Sequence, residues 1–519
     1  MTEPTLDSGM EFTRRFAGGL QGDLRRRLPH YRDDFAAGLH PKVAASTLFL
    51  FFACLANAIA FGGLNSIVTG GAIGTVEMIV ATAIGGVAFA LLSGQPLTIL
   101  GGTGPIVIFT GLLYTICQKY SLPFLTVYAW VGIWSGLLLI VLALTDASAL
   151  MKHFTRFTDE IFAALIAIIF ILEAVTSLTR PLTQGQAPDK AYLTLLLGLG
   201  TFFLARSLKA FQKTPYLYRP VRDFVSDFGP AIAIAIMTAF AVSQRGIALD
   251  APRVPDAFGT TTGRPWLVDL WALSPGVILA LIFPALMVTI LLFLDQNITV
   301  RLVVAPSHKL KKGIGFHLDL LVVGAITLGM SLFGLPWIVA ATVHSLNHVK
   351  SLATMQTSGK EDGSQAEQIE SVRENRLSPL LIHVGIGISV LMLPLIKLIP
   401  MAVLFGLFLY MGLATLGGNQ FFSRLTLWVT DPRLYPATHY TRLVAPKRIH
   451  LFTGIQALSL AALWVLKASP LGILFPVLIA LLVPLRLALA RFFPPQELHA
   501  LDSEEEAEEF EDDLPGVYG

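Results

Sequence analysis

The chain has 519 residues, of which 54% are hydrophobic and 14% charged, with a mean hydropathy of +0.67 and a formal net charge of +2. A soluble domain carries about 25% charged residues, so the composition excludes one and indicates an all-α polytopic membrane protein. Cys54 and Cys117 are the two cysteines and both lie in apolar runs. They exclude a disulfide scaffold and a cysteine-rich metal site, and read as small buried hydrophobes.

The opening residues, M-T-E-P-T-L-D-S-G-M, are polar and lack a charged region followed by an apolar one, so no cleavable signal peptide is expected. Residues 1–42 carry Arg14, Arg15, Arg25, Arg26, Arg27 and Arg32. This stretch is too polar to span a bilayer and reads as a cytoplasmic, interfacial and partly helical lead-in. Apolar runs near the spanning length of about 20 residues follow at about 43–64, 72–93, 122–144, 157–179, 191–206, 226–244, 274–304, 317–333, 378–393, 400–417, 449–466 and 470–493. Two broken runs, 95–118 and 335–353, bring the expected total to about fourteen.

The first broken run organises the chain. Residues 94–109 read G-Q-P-L-T-I-L-G-G-T-G-P-I-V-I-F: an apolar extended stretch stops at Gly101–Pro105 and a new apolar run begins. Unpaired backbone groups are too costly to face lipid, so such a break implies that the freed groups line a cavity. The expectation is a half-helix starting near Pro105, with its N–H groups aimed at an anion or other small solute. Residues 334–348, G-L-P-W-I-V-A-A-T-V-H-S-L-N-H, repeat the pattern.

Counting crossings from a cytoplasmic start places Lys152 and Arg156, Arg206 to Arg222, His308 to Lys312, and Arg424 to Arg448 in inside loops, as the positive-inside rule requires. Both termini are then cytoplasmic. The outside loops are short and nearly uncharged apart from residues 245–273, which mix charge signs and are rich in Pro, Gly and Thr, as a solvated external loop should be. On the same count the two breaks are third in their halves and opposite in polarity. That predicts two inverted seven-segment repeats, 43–244 and 274–493, with two half-helices, spans three and ten, meeting at the midplane. Residues 354–376 form a polar cytoplasmic linker. Residues 494–519 form an acidic cytoplasmic tail, read as solvated and disordered or as a docking segment for a cytosolic partner.

An ionisable residue inside a span is expensive and functional by default. Asp295, in I-L-L-F-L-D-Q-N-I-T, is the clearest example, and Thr299 follows one turn later on the same face. A carboxylate, a hydroxyl and nearby carbonyls suit sodium, a hard cation that prefers oxygen. Glu77 and Glu173 are expected to reach the membrane interface, and Asp159 and Glu160 to pair with Arg156. His344 lies at the start of the second half-helix, as a polar lining or gating residue, and His348 is expected to pack or hydrogen-bond between helices. No G-x-x-x-x-G-K-[ST], H-E-x-x-H or G-x-S-x-G sequence occurs, so neither ATP-driven transport nor proteolysis has residues to support it. No enzyme, resident cofactor or nucleic-acid partner is expected.

Several motifs resemble the bicarbonate transporter family, which comprises the chloride/bicarbonate anion exchangers and the sodium-bicarbonate cotransporters. They are N-A-I-A-F-G-G-L at 57–64, G-Q-P-L-T-I-L-G-G-T-G-P at 94–105, T-D-A-S-A-L-M-K-H-F-T-R-F-T-D-E at 145–160, F-L-D-Q-N-I-T at 293–299, H-K-L-K-K-G-I-G-F-H-L-D-L at 308–320 and A-V-L-F-G-L-F-L-Y-M-G at 402–412. The likeness runs from about residue 30 to 505. It implies fourteen segments in core and gate domains, a homodimer contacting through the gate domains, and a site between spans three, eight and ten.

Within the family the sodium-coupled branch carries Asp where exchangers carry Glu, and this chain has Asp295. Exchangers read T-V-R-S in span ten and cotransporters place an apolar residue at the third position, whereas residues 342–345 read T-V-H-S, so His344 matches neither branch. Span one reads Cys54, Leu55 and Ala56 where cotransporters tend to carry hydroxyls. The expected function is secondary active transport of bicarbonate or carbonate with sodium, across the plasma membrane and by alternating access. Gly102, Thr103, Gly104, Pro105, Ala341, Thr342, Val343 and His344 would bind the anion, and Asp295 and Thr299 sodium. The alternatives are electroneutral chloride/bicarbonate exchange or transport of another small oxyanion such as borate, and, in a different class, a non-transporting membrane anchor or receptor.

Overall fold

A computed structural model describes residues 12, 13, 15–244, 246–255, 258–359, 365–417, 419–436, 438–469 and 471–502. Arg14, the linker tip at 360–364 and the acidic tail after Asp502 lie outside the described residues. Among the described residues nine helices are long and apolar enough to cross a membrane, or ten if Met401–Leu416 and Gln420–Thr426 count as one. Gly229–Ser243 and Phe316–Leu332 are shorter apolar helices. The chain is a helical polytopic membrane protein.

The apolar runs become helices close to their expected bounds, for example Pro41–Val68, Thr75–Leu92, Phe124–Leu144 and Arg156–Thr183. Proline opens several of them, among them Pro41, Pro188 and Pro446, where its missing N–H has no intrahelical partner to lose. Both breaks fall as expected. Leu100–Gly101 and Val339–Ala340 are strands paired antiparallel, Leu100 opposite Ala340 and Gly101 opposite Val339. Each runs almost directly into a helix, Gly104–Lys119 and Thr342–Leu352.

The chain divides into two compact units. The first holds residues 1–151, 169–355 and 369–411 and contains both breaks. Its core includes the stacked rings of Phe170 and Phe408, with Phe61 tilted against both. Trp337 lies flat on Tyr128, the ring centres 4.0 Å apart.

The Arg-rich lead-in is more deeply embedded than an interfacial segment. It forms helices Gly18–Arg27 and Tyr31–Ala36, and Asp23, Arg27 and Asp34 are buried. Asp34 accepts from Arg27 and Arg376 at 3.1 Å each and from Lys312 at 2.8 Å. Arg376 in turn donates to the carbonyls of Ala90, Leu91 and Ser93 at the end of the Thr75–Leu92 helix. These charges are buried because each is paired, the condition under which burial is tolerated.

The loop at 245–273, expected to be solvated, is fastened down at several of its described residues. Thr261 donates through N–H and hydroxyl to Glu77 at 2.8 and 2.5 Å, and Glu77 also caps its own helix by accepting from Gly74 N–H at 3.0 Å. Glu77 is therefore a buried anchor and not an interfacial side chain. Arg264 donates to the carbonyls of Phe333 and Gly334, and Thr126 and Trp130 donate to those of Asp269 and Leu270. The polar linker is partly regular, with strands Ala353–Gly359 and Gln365–Val372 forming a two-stranded sheet.

The second unit holds residues 152–168, 356–368 and 412–519. Its centre is Arg424, which bonds Glu160 at 2.5 Å and Gln456 at 2.9 Å and lies over the rings of Tyr440 and Phe452. Glu160 also accepts from Arg156 at 3.0 Å, the pairing expected from their spacing. The start of the acidic segment is ordered as the Pro495–Asp502 helix, with Leu498 and Leu501 buried. Asp502 there accepts from the N–H of Phe157 at 2.7 Å and from Arg486 at 2.5 Å.

Candidate functional site

The two interruptions leave backbone groups without helical partners inside an apolar protein, and each buried group needs one. Ala341 N–H donates to the Ile99 carbonyl at 2.8 Å, and Ile99 N–H donates to the Ser345 hydroxyl at 2.9 Å. Ala340 N–H donates to Gln296 Oε1 at 3.2 Å. Asp319, on the Phe316–Leu332 helix, accepts from the N–H groups of Gly94 and Gln95 at 2.6 and 3.0 Å. His348 Nδ1 faces the Leu97 carbonyl at 2.8 Å, and Asn57 donates to Gly102 at 3.3 Å. His348 Nε2 also meets the Ser378 hydroxyl on the Leu377–Ile388 helix at 2.7 Å, a bond between helices as expected of it.

The backbones also approach closely. A methyl group on Gly102 would lie 3.0 Å from Phe61 Cβ, and one on Gly94 would lie 2.7 Å from Gly315 Cα. Space requires glycine at Gly94, which faces backbone, and favours it at Gly102.

The long helix Ile282–Val303 reaches both half-helix starts. Thr103, the residue before Gly104–Lys119, spends its hydroxyl on Asp295 at 2.8 Å and makes no side-chain cap. One turn along, Thr299 bonds Thr342, the first residue of Thr342–Leu352, with the oxygens 2.7 Å apart. Ala341, before that helix, supplies no side-chain cap either. Asp295 and Thr299 thus hold different half-helices, and the structure records no bond between the two. Both helix starts keep N–H groups and the positive end of a dipole, flanked by Gly102, Thr103, Gly104 and Pro105 on one side and Ala341, Thr342, Val343 and His344 on the other. His344 Nε2 faces the Ala53 carbonyl at 3.3 Å, which ties it to the Pro41–Val68 helix.

Asp295 is 5% exposed, and among the described residues no cationic side chain pairs with it. A buried carboxylate without a counter-charge is costly, so the site suits a bound cation or proton. No group of three or more His, Cys, Asp or Glu able to hold a metal occurs among the described residues.

The sequence reading did not single out Asp319, Gln296, Asn57 or Ser345. Asp319 had a usable signal, an acidic residue inside an apolar run.

Comparison with known proteins gives a consistent placement. The family described as the HCO3− transporter integral membrane domain matches residues 15–187 and 177–506. Rat band 3 anion transport protein is 38% identical over 96% of this chain, which covers 56% of that protein. Human anion exchange protein 3 is 37% identical over 99% of this chain and 45% of its own length. The chain therefore spans about half the length of these relatives. The transmembrane domain of the cyanobacterial bicarbonate transporter BicA shares the fold, with a TM-score of 0.57 at 16% identity, covering 81% of this chain and 98% of that one. A family match running along nearly the whole sequence, joined to relatives of this identity, means that the chain belongs to the HCO3− transporter family.

Proposed function

We propose that this chain is a secondary transporter of bicarbonate, carbonate or a related small oxyanion. The observation that carries the reading is the paired bonding of one helix to both half-helix starts, Asp295 to Thr103 and Thr299 to Thr342. The anion sits between Gly102–Pro105 and Ala341–His344, where two uncapped helix starts supply N–H donors and favourable dipoles. Access alternates across the plasma membrane, with both termini cytoplasmic and the protein a homodimer.

The architecture belongs to the same proposal. Among the described residues, the nine apolar helices, the bent pair taken as a tenth, the two shorter ones and the two half-helices with their strands would make fourteen segments. Their arrangement as two inverted repeats is supported by the antiparallel pairing of the strands that lead into the half-helices.

Sodium is the coupling ion in the first reading, as co-substrate, because Asp295 is a buried carboxylate without a cationic partner among the described residues. Chloride/bicarbonate exchange is the second reading, favoured by relatives named as anion transport and anion exchange proteins. Purified protein in liposomes with a trapped pH dye separates the two. Sodium coupling gives bicarbonate flux that needs sodium and is lost in Asp295→Asn. Exchange gives flux that needs chloride on the opposite side. No anion-dependent flux under either gradient overturns the transporter proposal.

A further inference from the structure

His383 stands in the Leu377–Ile388 helix, 1% exposed, and both of its ring nitrogens face backbone carbonyl oxygens. Nδ1 is 2.7 Å from the oxygen of Pro379, and Nε2 is 3.2 Å from that of Leu100. A neutral imidazole has one N–H and one lone pair, so it satisfies one carbonyl and turns its lone pair on the other. Only the imidazolium donates to both. The Leu100 carbonyl has no partner across the short ladder, because Ala341 donates to Ile99 instead, which places Leu100 and Ala340 as a non-hydrogen-bonded pair. The ring is held in place by Gly86 on the Thr75–Leu92 helix, where an added methyl would overlap it. His348 provides the contrast. Its Nδ1 faces the Leu97 carbonyl, but its Nε2 faces the Ser378 hydroxyl, and the neutral ring is satisfied when that hydroxyl gives its one proton to Nε2 rather than to Asn375 Oδ1, which keeps the Ser378 N–H.

We infer that His383 is a proton-binding site that fastens the Leu100–Gly101 strand, and that its proton is taken up together with the anion. This rests on the anion site proposed above. Leu100 precedes Thr103 by three residues, at most about 10 Å of extended chain. A unit charge at about that range, in an effective dielectric of about 20, changes anion affinity about tenfold. The linkage is reciprocal: proton binding tightens anion binding, and anion binding tightens proton binding.

The other titratable groups on the elements packed against this helix are committed or distant. On Thr75–Leu92, Glu77 is bound to Gly74 and Thr261. On Pro41–Val68, Lys42 donates to the Ala353 carbonyl and Cys54 is buried. On Thr342–Leu352, His344 faces Ala53, Lys350 is exposed, and His348 is within electrostatic reach of His383. Just before the helix, Arg376 is paired with Asp34.

The test is calorimetry on the 519-residue chain in detergent at several values between about pH 5 and about pH 7. Nitrate is the probe, a planar oxyanion that does not titrate in this range, with its binding checked by competition with bicarbonate. Titration in buffers of different ionisation enthalpy counts protons taken up per nitrate. The wild type should take up a fraction of a proton, and bind nitrate about tenfold more weakly at about pH 8 than at about pH 5.5. His383→Gln and His383→Ala should lose both effects while still binding nitrate. Nitrate binding without proton uptake, or uptake unchanged in both variants, overturns the proton site. Absence of binding by either anion overturns the anion site instead. If neither variant folds, the wild-type profile decides, and a flat one ends the inference.

Discussion

The hydroxyl of Thr103 donates to the Asp295 carboxylate at 2.8 Å, joining residues 192 positions apart. The bond ties the residue that precedes one half-helix to the middle of a long span. Any change at Asp295 therefore acts on the N–H groups that the half-helix presents.

Thr103→Val removes the hydroxyl at nearly constant volume and strips a buried carboxylate of its donor, at a cost of about 1–3 kcal/mol. Transport should fall by about tenfold or more, and Thr103→Ser should recover most of it. The check is initial flux in liposomes at matched protein content, with folding followed by size-exclusion profile.

Glu77 accepts three hydrogen bonds, from Gly74 N–H and from the N–H and hydroxyl of Thr261. Glu77→Gln turns one acceptor into a donor and should destabilise the protein by about 1–3 kcal/mol. It should also free residues 246–274. A lower Tm in detergent and faster protease cleavage in that segment are the expected readings, and unchanged cleavage would count against the anchor.

Removing Arg424 leaves Glu160 buried with Arg156 and the neutral amide of Gln456 beside it. Breaking a buried ion pair from one side costs about 3–5 kcal/mol, so Arg424→Met should express poorly or melt early. Pairing it with Glu160→Gln removes the stranded charge and should restore part of the loss. Comparing the Tm of the single and double variants measures this.

Acid should loosen the lead-in through Asp146. Burial raises its carboxyl, but the Thr13 hydroxyl, the N–H groups of Gly19 and Thr13, and the charge of His317 outweigh burial and hold it below its ordinary value of 3.8. A lowered native value means stability that is present above the unfolded value and lost as pH falls through the native one. Asp23, on the Gly18–Arg27 helix whose Gly19 N–H is bonded by Asp146, runs the other way. Burial raises it against His317, the Leu318 N–H and Arg26, so its contribution is present at low pH and lost as pH rises through the native value. Protection of residues 15–27 against hydrogen exchange, taken relative to the intrinsic rate at each pH, should fall between about pH 5 and about pH 3, and Asp146→Asn should flatten that change.

What the sequence revealed and what it concealed divide along physical lines. The helices and both breaks were legible because hydropathy and the glycine and proline punctuation are local, so Gly101–Pro105 and the run before Thr342 stood out unaided. The partners were not. Nothing near Asp295 points to Thr103, and its apparent mate Thr299, one turn away, proves bonded to Thr342. Glu77 was assigned to the interface because its position in the run was visible while Thr261 was not. The lead-in looked interfacial because its charges were counted without the partners, Lys312 and Arg376, that allow Asp34 to be buried.

The short strands set a dimension. Neighbouring strands in any ladder lie about 4.8 Å apart, and the Leu100–Ala340 and Gly101–Val339 pairs stop only a few residues before the two helix starts. On the proposed function, the spacing of the two helix starts that would receive an ion is thus gauged by backbone hydrogen bonding, which side-chain substitution does not reset. On that proposal Thr103, Thr342 and His344 would trim the spacing, but its calibre would belong to the main chain.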